Sequence, residues 1–328
     1  MTTILFFVLA TWAALFIGGS IPLLGSSVIA ILIGAFARHS PLYSQLNQKI
    51  VKFISSYLLK TGIVLLGFNL SLRIILEVGA EIFIILIAVV LVSLLTSLLL
   101  SKLFKFEWKL SLLLGIGTSI CGGSAIAATA PILEAKDEDI AVSITTMFVF
   151  SMLALLVLPT IGASLGYTKQ LYGILAGSAV NDTASVVATA FAWSDEAGNI
   201  ATLVKLVRTL LIVPLTIGMI YYKFYQQRKQ AETKVAISWT QIRQTIPMFV
   251  VFFVLAVLFS SIVTLPPAVT SLLSQTSKIF MTIALVAIGL GVHIEQIKKA
   301  GLKPILLGGL TWLAVLVTSV SLIEVLYR

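Results

Sequence analysis

Apolar runs of about 16 to 25 residues alternate along the chain with short polar joints. That spacing is what a hydrocarbon layer about 30 Å thick imposes on helices rising 1.5 Å per residue. The pattern predicts spans at 4–19, 22–38, 51–73, 82–101, 110–134, 140–164, 170–192, 199–222, 245–263, 268–293 and 304–326. The first run has no Lys or Arg before it, so it reads as a span and not as a cleaved leader. The one sizeable polar stretch divides the chain into N-terminal spans (1–224), a cytoplasmic linker (225–243) and C-terminal spans (244–328) that repeat the 51–101 region.

Two of these runs are interrupted. The segment GIGTSICGGSAIAATAPILE (115–134) is apolar at its ends but has Cys121-Gly122-Gly123-Ser124 in its middle, and 170–192 carries Asn181-Asp182-Thr183. Glycine inside a helix costs about 1 kcal/mol relative to alanine. The backbone groups freed by a break survive at membrane depth only inside protein or beside a water-filled cavity. Secondary transporters use such breaks to hold substrate near the midplane. The plainer alternative is a helix-packing face, which small residues also line.

Internal similarity sharpens the pattern. Gly117–Ala130 overlays Gly177–Ala190, setting glycine on glycine, Ala128-Thr129-Ala130 on Ala188-Thr189-Ala190, and one break on the other. Residues 62–79 overlay 284–301, with Gly67 on Gly289 and Gly79 on Gly301. The second pair runs in opposite directions through the membrane, as an inverted repeat does. Each interrupted segment either crosses fully, giving eleven spans, or is a re-entrant hairpin, leaving nine. In the hairpin case the first enters from the cytoplasm and the second from outside.

Composition fixes the class. The chain is 59% hydrophobic and 11% charged, where soluble domains carry about 25% charged residues. The expectation is an all-α polytopic membrane protein with 9–11 transmembrane segments, two broken or re-entrant helices and inverted-repeat pseudo-symmetry. The net charge of +9 gathers in alternate joints, at Arg38 with Lys49, at Lys102 with Lys109, around 223–243, and at Lys298 with Lys303. The positive-inside rule then puts the N-terminus in the cytoplasm and the C-terminus outside. Anionic lipid, not nucleic acid, is the partner such charge implies. A single cysteine excludes an internal disulfide, and His39 and His293 are too far apart for zinc chemistry. No phosphate-binding G-x-x-x-x-G-K-[ST] loop, HExxH motif or nucleophile–base pair appears, so neither an enzyme nor an ATP-driven pump is expected.

Candidate chemistry sits at the breaks and on one later span. Arg208 lies mid-span with Lys205 three residues earlier on the same helical face. Two such cations suit an anion, with the guanidinium offering a planar fork. The alternative for Arg208 is a structural pair with Asp182. That carboxylate either caps the second half-helix or couples transport to H⁺ or Na⁺. Ser124 and the N–H groups of Gly123 to Ala125 would open the first half-helix, and helix N-termini attract anions. Cys121 is expected as a small packing residue of this break, since no histidine is placed to activate it. Lys60 is expected to snorkel. The binding set is therefore Cys121, Gly122, Gly123, Ser124, Asn181, Asp182, Thr183, Lys205 and Arg208, with no metal and no cofactor beyond a coupling ion.

From about 20 to 326 the sequence resembles the YeiH-type (UPF0324-like) family of bacterial membrane proteins, a family associated with sulfate export. The resemblance rests on LLGIGTSICGGSAIAATAPIL (113–133), GSAVNDTASVVATA (177–190), VKLVRTLLIVP (204–214) and IGLGVHIEQIKKAGLKPILLG (288–308). A more distant similarity to the bile-acid/sodium symporters is carried by the Cys-Gly-Gly break and by Ser143-Ile144-Thr145-Thr146. Family members commonly have His-Glu where this chain has Asn181-Asp182, which keeps a carboxylate but removes an imidazole. The resemblance implies panel and core domains, crossed broken helices that traverse fully, and alternating access. The expected function is export of a small anion such as sulfate or sulfite across the bacterial inner membrane, by a protein that can form a homodimer. A passive anion channel and sodium-coupled organic-anion uptake are the alternatives.

Overall fold

Helix is the only regular structure among the residues that the computed structural model describes: 2–20, 25–68, 79–230, 248–263, 265–291 and 301–328. Most of the predicted linker and His293 lie outside them. In chain order the helices are α1 (Thr2–Ser20), α2 (Gly25–Arg38), α3 (Gln48–Gly67), α4 (Gly79–Phe104), α5 (Trp108–Ser119), α6 (Gly123–Leu133) and α7 (Asp137–Ser164). There follow α8 (Lys169–Ala179), α9 (Thr183–Trp193), α10 (Asp195–Leu210), α11 (Ile212–Gln230), α12 (Met248–Ile262), α13 (Pro267–Gly289) and α14 (Leu302–Tyr327). Six stretches among the described residues are long and apolar enough to cross a bilayer: α3, α4, α7, the α10–α11 run, α13 and α14.

Both interrupted segments are re-entrant hairpins. Lys109, at the start of α5, donates to Glu134 O beyond the end of α6 at 2.8 Å, and Lys136 pairs with Glu107 at 3.3 Å. A helical path over those 25 residues would part its ends by about 37 Å. In the second segment Tyr172 stacks on Trp193 with ring centroids 4.1 Å apart, and Lys169 lies 3.7 Å from Glu196. The full crossing implied by the resemblance is thus corrected: each segment turns back at its break. The physical reason lies at the breaks, where three residues outside helical geometry reverse the chain instead of continuing it.

Hairpin 1 (α5–α6) and hairpin 2 (α8–α9) are joined by α7, whose 28 residues are long enough to traverse the bilayer. Their bases therefore lie toward opposite ends of α7, and their tips touch at Gly122, Asn181 and Asp182. Of the longer overlay only the two ends are described, since residues 69–78 and 292–300 fall outside the described residues. Gly67 ends α3 and Gly289 ends α13, and the helices that follow, α4 and α14, each have 26 residues. Their leading glycines, Gly79 and Gly301, share φ of +80° and +81°. The related helices pack on each other and on the hairpins, α4 against α5 and α14 against α8. On the far side α2 crosses α13 at Gly34 and Gly289, so closely that a Cβ on either would fall within 2.2 Å of the partner backbone. Small residues at such crossings are how membrane helices gain packing contact, since lipid tails supply no hydrophobic drive.

Candidate functional site

A helix end inside a membrane protein leaves carbonyls or N–H groups that lipid cannot satisfy. In hairpin 1, α5 closes at Ser119, Ile120 leaves helical geometry, and Gly122 turns the chain at φ +65°, ψ −126°. Side chains with a Cβ rarely enter that region; glycine does so freely. The Gly122 N–H donates to Gly117 O at 2.9 Å, and Gly122 O accepts from Ala125 and Ile126 to begin α6. In hairpin 2, Asp182 caps α9, its Oδ1 accepting the Ser185 N–H at 2.9 Å. The tips touch: a Cβ on Gly122 would sit 3.6 Å from both Asn181 O and Asp182 Cβ.

Two cations on α10 satisfy the carbonyl ends of both hairpins. Lys205 Nζ donates to Ile120 O at 2.7 Å, Val180 O at 2.9 Å and Asn181 O at 2.5 Å. Arg208 donates from Nε to Ser119 O at 2.6 Å, from Nη1 to Ser178 O at 2.6 Å and Val180 O at 3.2 Å, and from Nη2 to Thr118 O. Both side chains are fully buried. Cations at helix C-termini also gain from the macrodipole. Sequence reasoning aimed these groups at an anion. The structure instead directs them onto carbonyls, because an unpaired carbonyl in an apolar interior costs about 1–3 kcal/mol. Two further donors complete the arrangement: Trp312 Nε1 to Ala179 O at 3.0 Å, and Ser93 Oγ to Gly115 O at 2.8 Å. Neither stood out in the sequence, since a serine or tryptophan within a span reads first as packing.

The N-terminal ends are furnished differently. Gly123 and Ser124 stand in the first turn of α6, and Thr183 in that of α9. Asn181 is fully buried, yet neither its Oδ1 nor its Nδ2 has a hydrogen-bond partner, and Asp182 Oδ2 has none. The buried hydroxyls of Ser143 and Thr146 on α7 and of Thr189 on α9 are unpartnered as well. Cys121 is buried among Ile116, Ile120, Ala125 and Ile212. Lys60 is remote and exposed, its Nζ 3.3 Å from Ser56 Oγ. Among the described residues no three His, Cys, Asp or Glu side chains gather as a metal site requires.

A cavity of about 260 Å³ runs beside α9 between α1, α2 and α13, bounded by Val187, Phe191, Lys278 and Thr282. The Asp195–Lys278 ion pair, 2.6 Å long, forms part of its wall. Val187, Phe191 and Asp195 follow one another at four-residue spacing, so the cavity runs along one face of the second half of hairpin 2.

Residues 2–308 match the model of the family described as conserved hypothetical protein 698. The chain belongs to this family. A UPF0324 membrane protein of Streptococcus agalactiae serotype V is 40% identical to it, over 94% of this chain and 92% of that protein. Others are 37% identical in Streptococcus pyogenes serotype M3, covering 94% and 92%, and 38% identical in Clostridium tetani, covering 93% and 91%. No solved structure matches. The protein is thus a multi-pass UPF0324 membrane protein, and its relatives' names assign it no substrate.

Proposed function

We propose that this protein is a secondary active transporter that exports a small anion such as sulfate or sulfite by alternating access, coupled to H⁺ or Na⁺ through Asp182. The observation that carries the reading is the meeting of two opposed hairpin tips around polar groups with no protein partner: both atoms of the Asn181 amide and Asp182 Oδ2. Buried polar groups are otherwise almost always paired, so a group held this way in a membrane core awaits a polar occupant. Charge supports an anion. Among the described residues at the tips stand two cations, Lys205 and Arg208, against one carboxylate, Asp182. A buried excess of positive charge is costly until it is compensated.

In this reading the anion lies at the starts of α6 and α9, against Gly122, Gly123, Ser124, Asn181 and Thr183. Cys121, Lys205 and Arg208 stand behind it, and the two cations contribute field, not direct hydrogen bonds. The protein sits in the bacterial cell membrane with its N-terminus in the cytoplasm, and hairpin 2 opens to the outside along the cavity beside α9. A homodimer is compatible with this arrangement. The test is flux in proteoliposomes under an imposed H⁺ or Na⁺ gradient. Labelled sulfate or sulfite accumulating above equilibrium supports a transporter. Equilibration alone would make the protein a channel, and no flux of either anion would end the substrate assignment.

A further inference from the structure

In broken-helix transporters the unwound carbonyls at half-helix ends coordinate the coupling cation. Here the matching carbonyls of both hairpins are already occupied. Lys205 Nζ lies within 2.5–2.9 Å of Ile120 O, Val180 O and Asn181 O, one carbonyl from hairpin 1 and two from hairpin 2. All three ammonium protons therefore meet carbonyl oxygens drawn from both tips. An ammonium group is a compact monovalent charge, so this cage of carbonyls has the polarity of a small monovalent-cation site and the dimensions of an ammonium site. Arg208 shares Val180 O at 3.2 Å and holds the neighbouring Thr118 O, Ser119 O and Ser178 O. Asp182, the carboxylate at the tips, makes its hydrogen bond to the Ser185 N–H.

We infer that Lys205 is a tethered cation that permanently fills a monovalent-cation site shared by the two hairpin tips, so that no cation from solution occupies those carbonyls when the anion binds. The inference rests on the transporter reading for its consequence: the tip carbonyls are removed as a sodium site, and Asp182 is left as the coupling group. It also explains why the lysine sits three residues from Arg208 despite their mutual repulsion: the position is set by the carbonyl cage, not by a carboxylate partner. Removing the side chain would leave an ammonium-sized space lined by three carbonyls, open to small cations from solution.

The test is thermal unfolding of the purified full chain, wild type and Lys205→Ala, titrated with sodium gluconate or methylammonium gluconate against N-methylglucamine gluconate at constant ionic strength. The wild type is expected to show no saturable response to either small cation. Lys205→Ala is expected to gain a saturable rise in Tm of roughly 3–5 °C with methylammonium or sodium. A saturable sodium response in the wild type overturns the inference, as does a folded Lys205→Ala protein indifferent to both cations. If Lys205→Ala does not fold alone, recovery on extraction in methylammonium supports the cage, and failure to recover in either cation overturns it. These arms contain no candidate substrate. A wild type that moves neither sulfate nor sulfite in the flux assay but passes the cation tests ends the substrate assignment and leaves the tethered cation standing.

Discussion

The two hairpins share a register but not a construction. Hairpin 2 is buried along almost its whole length and capped by side chains at each joint: Thr168 before α8, Asp182 before α9 and Ser194 before α10. It is pressed onto α10 through Gly173 and Gly177, where an added Cβ would lie within 2.9 Å and 2.6 Å of its neighbours. Hairpin 1 turns on bare backbone at Gly122, and α6 begins without a side-chain cap. A Cβ on Gly123 would meet nothing closer than 3.9 Å, and Pro131 near the end of α6 is exposed. Segments with fewer buried contacts open at lower free energy. Hairpin 2 therefore reads as the fixed wall of the site, and α6 as the arm with room to move. Arg208 and Lys205 tie both tips to α10, so the breaks cannot part without exchanging those bonds.

The largest expected effect comes from breaking that tie. Arg208→Ala leaves Thr118 O, Ser119 O and Ser178 O without their donor, and should cost about 3–5 kcal/mol, enough to lose folded protein in heated size-exclusion chromatography. Arg208→Lys should rescue only part of this, because one ammonium cannot reproduce a planar fork. Next, Gly177→Ala should destabilise by about 1–3 kcal/mol through overpacking on Val204 and Ala201. Gly123→Ala should stay within about 0.5 kcal/mol of wild type. Equal Tm shifts for these two variants would erase the contrast between the hairpins.

Asp182→Ala should cost about 1 kcal/mol as a lost cap, whereas Asp182→Asn keeps the cap and should leave Tm nearly unchanged. Gradient-driven uptake in proteoliposomes should fail in both, which separates the charge of Asp182 from its capping role. The smallest change in stability is expected at Asn181. Because its amide already lacks partners, Asn181→Leu should leave Tm unchanged or raise it by a degree or two, while abolishing any anion-dependent thermal shift. A marked loss of stability in Asn181→Leu would mean that the amide is structural.

Much of the fold was written in the alternation of apolar runs and polar joints, because bilayer thickness fixes helix length whatever the tertiary contacts. The breaks were legible for a similar local reason: Gly122-Gly123 followed by serine, and Asn-Asp-Thr, weaken helix inside apolar runs, and the overlay of 117–130 on 177–190 set the two tips in register. Even the pairing of Gly79 with Gly301 could be read from spacing, and both adopt the same positive φ. Three things were decided only in three dimensions. Whether each broken segment crosses or turns back depended on what its ends meet, such as Lys109 on Glu134 O, and the basic joints fit either path equally. The work of Lys205 and Arg208 depended on which carbonyls the tips would free and where. The orphaned amide of Asn181 became visible only once every neighbouring donor and acceptor had been accounted for. Charge and periodicity are properties of residues in order along the chain, whereas hydrogen-bond satisfaction belongs to the groups brought together by the fold.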